Sequence, residues 1–259
     1  MNTPFTSQNL VHLIGFPFRD AEWKQKGLLG ILFLLIAPVT LLIPLVLIAG
    51  YCYRIMRRVN SGDGEPAMPA WDDWERLFVD GIRLVGVVLV YTFPALVLFT
   101  LGFVMAFTIP IVFVFLAHLT SQANSSHIAF MPLVGMSFTW IFYGAGILLS
   151  LMIGVVLPAP LCHMVAKDSF GAAFHINEWW PIFRANLGGF ILSYLIIIGL
   201  SMIYTLAVQA LYFTFILCWI IPILAGVFGF YLYLISSAIF AQAYRMGLEE
   251  TAGASTTPG

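Results

Sequence analysis

The side chains with chemistry to offer in this sequence are few and scattered. His118, His127, His163 and His175 carry imidazoles able to ligate haem or a metal, but no two stand at the i, i+4 spacing that puts a ligand pair on one helical face. They read instead as solvated or interfacial histidines at the ends of apolar runs. Asp63, Glu65, Asp72 and Asp73 are the densest carboxylates. The acidic turn that holds the first two lacks the alternating oxygen ligands and terminal glutamate of a calcium loop. Ser125 and Ser126 have no nucleophile elbow or partner pattern around them. Cys52, Cys162 and Cys218 are isolated and odd in number, which suggests neither a disulfide framework nor a thiolate metal site. No catalytic centre, cofactor or metal is implied, and we expect a protein that is not an enzyme.

The elements that would have to position such groups are dictated by composition. Hydrophobic residues make up 61% of the 259 and charged residues 9%, against about 25% charged in a soluble domain, and the mean hydropathy is +0.98. Long uncharged runs satisfy their backbone in lipid only as helices, and their continuous rather than alternating character excludes a membrane β-barrel. No basic run is fit to track a phosphate backbone, so nucleic acid is not an expected partner. The first twenty residues hold no Lys or Arg before Arg19, so the charged start of a secretory signal is missing and the segment is expected to be retained.

Charged interruptions divide the chain. Apolar runs cover residues 28–53, 82–117, about 133–160 and 187–243, the last long enough for two spans with a turn near 209–218. The expected fold is therefore all-α: a polytopic membrane helix bundle of about five membrane helices, with two or three interfacial amphipathic helices. Residues 1–27 would be an N-terminal interfacial segment, 28–247 a single membrane domain with polar connections at 54–83 and 161–186, and 248–259 a flexible tail. Arg54, Arg57, Arg58, Arg76, Arg83, Lys167, Arg184 and Arg245 fall on one side if each later run crosses once, whereas residues 118–127 and 209–218 carry no Lys or Arg. That side is the cytoplasm by the positive-inside rule. Arg19, Lys24 and Lys26 then decide how residues 28–53 are read. We take that run as a full crossing; Pro38 and Pro44 permit a re-entrant hairpin as the alternative.

Between the first two runs lies MPAWDDWERLFVDG, residues 68–81. Trp71, Trp74, Leu77 and Phe78 fall on one helical face, opposite Asp72, Asp73, Glu75, Arg76 and Asp80, and Pro69 and Gly81 punctuate the ends. This predicts a short amphipathic helix over 70–80 in the membrane interface, with tryptophans at headgroup level and an acidic face toward partners. In the second connection, Lys167, Asp168 and Ser169 precede a helix that carries Phe170, Phe174, Trp179 and Trp180 and ends at Pro181. Gly146, Ser150 and Gly154 form a small-residue stripe suited to helix packing, within the bundle or between copies. FRDAEWKQKGLLGILFLL (18–35) and FHINEWWPIFRANLGGFILSYL (174–195) form a faint internal repeat.

The stretch GYCYRIMRRVNSGDGEPAMPAWDDWERLFVDGIRLVGVVLVYTFPALVL resembles the signature of an integral membrane family of bacteria and archaea, domain of unknown function 4013. The positions that carry the resemblance are Gly50, Tyr51, Arg54, Arg57, Pro69, Trp71, Asp72, Asp73, Trp74, Phe78, Asp80, Gly81, Tyr91 and Pro94. Met68 stands where leucine is usual and Ala70 where glutamate is common. LPAPLCHMVAKDSFGAAFHINEWWPIFRANLGGF is similar to the family as well. The resemblance implies a multi-pass fold in the cell membrane and no chemistry.

Taken together, these features point to a non-catalytic membrane component that binds lipids or a protein partner, with homo-oligomerisation as one form of partnership. A permease or channel-like subunit for a small uncharged or lipidic solute is the alternative, and an intramembrane enzyme or haem carrier a third.

Overall fold

The computed structural model describes residues 7–62, 66–119, 126–213 and 219–255, the side chains of 7–10, 117, 126–132, 254 and 255 excepted. Among the described residues no strand occurs. The helices are α1 (Ser7–Gly15), α2 (Trp23–Ile36), α3 (Ile43–Ser61), α4 (Trp74–Leu119), α5 (Ser126–Val156), α6 (Pro158–Lys167), α7 (Ile176–Ala185), α8 (Leu187–Tyr212) and α9 (Ile221–Ser255), with 3-10 turns at Phe16–Arg19 and Phe170–Phe174. Among the described residues, four segments are long and apolar enough to cross a membrane: Trp74–Leu116, Leu133–Lys167, Leu187–Tyr212 and Ile221–Gly253. The chain is thus the helical membrane bundle expected.

Two compact units are formed. In the first, Met1–Val88 with Val155–Gly259, α2, α3, α6, α7 and α8 all pack on α9, around a core that includes Ile48, Tyr51, Ile55, Leu77, Phe230, Leu234, Ile235 and Ile239. In the second, Leu89–Gly154, small residues let helices close up: added Cβ atoms would stand 2.7 Å from Tyr143 at Gly102, 3.3 Å from Ile109 at Gly135 and 3.0 Å from Phe99 at Gly146. Gly146 therefore packs within the chain, while Ser150 and Gly154 are half-buried.

Three local expectations need correction. Residues 28–53 are not one helix: they break at 37–42 into α2 and α3, and the chain returns on itself. Trp71 shows this directly, because its Nε1 donates to the Lys26 carbonyl at 3.0 Å while its ring stacks on Tyr51 at 4.2 Å. A continuous helix would hold Lys26 and Tyr51 about 37 Å apart. Residues 28–53 therefore fold back on themselves as a helical hairpin, the form that Pro38 and Pro44 permit, and among the described residues four segments are long and apolar enough to cross a membrane.

The separate helix expected over 70–80 is the start of α4, which begins at Trp74 and runs through Gly81 for 46 residues. Asp73, at φ 48°, caps it by accepting from the Arg76 amide at 3.3 Å. Gly81 does not end the helix because it is where α4 meets α3, its missing side chain making room for the Val46 carbonyl. The buried face is Leu77, Asp80, Gly81, Leu84 and Val87, and Trp74 and Phe78 point outward. The third correction concerns Pro181, which lies inside α7 rather than at its end. α9 extends to Ser255.

Candidate functional site

The charged residues of the first unit gather where the base of the α2–α3 hairpin, the segment 66–73, the start of α4, the end of α6, α7 and the latter part of α9 meet. One node is Trp71. Besides Lys26 and Tyr51 it touches Phe33 at 5.3 Å, and the Tyr51 hydroxyl donates to the Pro69 carbonyl at 2.8 Å. Lys26 donates to Asp20 at 2.7 Å and to the Met68 carbonyl at 3.1 Å. Burial works to raise the Asp20 carboxyl, but the Lys26 hydrogen bond, the Glu22 amide and the charges of Lys26 and Arg58 outweigh it and hold Asp20 below its usual range. Arg54 closes the node, reaching Asp72 at 2.5 Å, the Ala70 carbonyl at 3.3 Å and the Asp73 carbonyl at 3.2 Å.

Asp168 is a second node. The turn after α6 puts it in the left-handed region at φ 48°, from where it accepts from the buried Tyr53 hydroxyl at 2.8 Å and pairs with Arg83 at 3.4 Å and Arg57 at 3.9 Å. Arg83 and Arg76 also flank the buried Asp80, at 3.8 and 3.9 Å. Asp80 was expected on a solvated polar face. It is only 4% exposed, because the α4 face that carries it is the one turned to α3.

A third group was not anticipated. His163, expected to be solvated or interfacial, is 2% exposed. Its Nδ1 lies 2.6 Å from the Tyr244 hydroxyl and its Nε2 3.2 Å from Glu178. With the proton on Nε2 a neutral ring satisfies both bonds, accepting from tyrosine and donating to glutamate. Glu178 also faces His175 at 3.4 Å and Lys167 at 3.9 Å. The His163 hydrogen bond holds its carboxyl below the usual range, against a smaller desolvation effect and with help from Lys167 and both histidines. This Tyr–His–Glu chain joins α9, α6 and α7. Its one sequence signal was a histidine within the helix-forming run PAPLCHMVAK.

The expected surface residues divide. Asp72 and Asp73 are exposed but engaged by Arg54, Leu77 is fully buried, and Trp71 is half-buried within the aromatic node. Trp179 is buried, its Nε1 donating to the Ala173 carbonyl at 3.1 Å. Trp74, Phe78 and Trp180 face outward, as do Phe170 and Phe174, which meet edge to face at 5.4 Å. Asp63 and Glu65 of the acidic turn, Ser125, Cys218 and most of the 118–127 loop lie outside the described residues, and the side chains of Ser126 and His127 are not described. Among the described residues no three His, Cys, Asp or Glu are grouped to hold a metal ion.

Chemically, the arrangement is a set of mutually satisfied ion pairs and hydrogen bonds rimmed by exposed aromatic rings. Comparison with known families places residues 33–213 in a match to the family described as Protein of unknown function (DUF4013). No curated protein and no solved structure matches the chain.

Proposed function

From the premise that the chain belongs to the DUF4013 family, and that four of its described segments are long and apolar enough to cross a membrane, we propose that it is a non-catalytic component of the cell membrane that binds lipid headgroups or a protein partner at its polar end. One observation supports this above others. The charged groups there are largely consumed by one another, whereas Trp74, Phe78 and Trp180 are 45%, 39% and 41% exposed beside them. Indole and phenyl rings set beside charges are suited to the boundary between acyl chains and headgroups. Between Leu84 and Ala166, and again between Ala185 and Tyr244, the chain has no Asp, Glu, Lys or Arg, so a coupled carrier would lack the usual intramembrane charge.

The test places a photoreactive benzophenone side chain at Trp74, Phe78 or Trp180, with the buried Trp179 as the control. We expect lipid adducts, or one discrete protein adduct, from the three outward positions and none from Trp179. No adduct from any of the three overturns the reading.

A further inference from the structure

We propose that residues 27–53 form a re-entrant hairpin, entering and leaving the bilayer through the leaflet at the polar end with its tip among the acyl chains. The proposal rests on the reading of the chain as a membrane protein. The two bases of the hairpin are at one level, since Lys26 and Tyr51 meet at Trp71 and Arg54 ties the α3 side to the segment that contains it. Between Lys26 and Arg54 there is no charged residue. From each base to the turn, the apolar arm is about ten residues of helix, about 15 Å, half of the roughly 30 Å hydrocarbon thickness. Each arm is thus too short to cross and long enough to reach the middle.

The tip is built for a place without water. Of the non-proline amides from Ala37 to Leu45, all but that of Leu41 bond within the hairpin: those of Ala37, Val39, Thr40, Leu42, Ile43 and Leu45 donate to the carbonyls of Phe33, Ile36, Ile36, Ala37, Thr40 and Leu42 at 2.9–3.2 Å. Pro38 and Pro44 have no amide hydrogen to satisfy, and the Thr40 hydroxyl returns its proton to the Ile36 carbonyl at 2.9 Å. Irregular backbone in hydrocarbon requires this kind of internal closure. Leu41 and Leu42 adopt φ of 51° and 65°, a left-handed conformation that glycine or asparagine takes with less strain. A turn in water would favour those residues. Leucines here make sense when their side chains are needed, yet Val39 and Leu41 are 86% and 88% exposed in the chain itself. Along α2 the stripe Leu28, Leu32 and Ile36 is exposed as well, while the opposite face is tightly packed, Gly30 against Phe230 and Ile31 against Gly226 of α9. Acyl chains are the occupant that suits an uncharged surface of leucine, isoleucine and valine side chains at that depth.

The test uses single cysteines at Gln25, Thr40 and Ser61 in a Cys218→Ser chain that keeps the buried Cys52 and Cys162, with that chain alone as the labelling background. In intact cells a membrane-impermeant maleimide should leave Gln25 and Ser61 unlabelled, and permeabilisation should expose both; Thr40 should resist in either condition. A bimane attached at Thr40 in detergent, then reconstituted, should be quenched at least twofold more by lipids with mid-chain nitroxides than by an aqueous quencher. Gln25 and Ser61 labelling from opposite sides would establish a full crossing and overturn the hairpin, as would labelling of Thr40 by the impermeant reagent. Bimane quenched by neither agent, or cross-linking from Thr40 to a second copy or another protein, would replace lipid by protein as the occupant and overturn the proposal. Release of the unsubstituted chain from membranes by alkaline carbonate would sink the membrane reading itself, a separate failure.

Discussion

Replacing Gly81 with alanine tests how α4 meets α3. A Cβ at Gly81 would fall 1.9 Å from the Val46 carbonyl oxygen and 3.0 Å from the Gly50 amide, and one at Gly50 would fall 1.9 Å from the Leu77 carbonyl oxygen. The obstructing atoms are backbone, so no rotamer change relieves the contact. The helices would have to separate by about 1.5 Å to restore ordinary non-bonded distances. Alanine in a helix interior gains about 1 kcal/mol over glycine from propensity. Against that stand an overpacking cost of about 1–3 kcal/mol and part of the 1.5–3 kcal/mol or so that burial of a leucine contributes, Leu77 being fully buried. The steric side wins, and Gly81→Ala should destabilise by about 2–4 kcal/mol. Gly144 and Gly199 supply the sign control: both are inside helices, a Cβ at either meets nothing within 4 Å, and alanine there should be neutral or stabilising by up to about 1 kcal/mol. Unfolding in mixed micelles titrated with dodecyl sulfate, followed by far-ultraviolet circular dichroism, reads all three. A Gly81→Ala protein that unfolds at or above the parent midpoint would refute the close approach.

Other expectations come from the polar groups. Tyr244→Phe should cost about 1–3 kcal/mol in the same unfolding assay, because it leaves the buried His163 Nδ1 without its partner; an unchanged midpoint would mean the bond is absent. Glu178 has its folded pKa below the ordinary 4.5, so its contribution is complete above pH 4.5 and disappears as pH falls through the lower, folded value. Between pH 7 and pH 3 the parent should therefore lose more stability than Glu178→Gln, and equal losses would contradict the His163–Glu178 bond. Arg54→Ala should free residues 70–73, seen as faster amide exchange there with little change in α9; unchanged exchange would show that Trp71 alone holds the segment.

Much of this was legible in the residues, for reasons that are local. A run such as 187–243 must be helical and membrane-fit whatever surrounds it, since hydropathy adds residue by residue and backbone satisfaction in lipid leaves no other form. The importance of Trp71, Arg54 and Asp73 was likewise carried by a compact stretch of sequence. The phase of α4 was not. Trp71, Trp74, Leu77 and Phe78 share a face by periodicity, but the face that is buried is chosen by the glycine contact with α3, and Leu77 turns inward while Trp74 and Phe78 turn out.

The sequence by itself determined the class, the long apolar helices and the confinement of charge to their ends and connections, because each follows from composition within a single turn-to-turn segment. The tertiary structure decided the rest. Whether residues 28–53 run straight or fold back on themselves depends on Lys26 and Tyr51 finding the same tryptophan, and whether His163 is solvated depends on Tyr244, 81 residues away, closing over it. Such outcomes are set by which distant side chains fill one space and satisfy one another's hydrogen bonds. No local pattern of polarity encodes that.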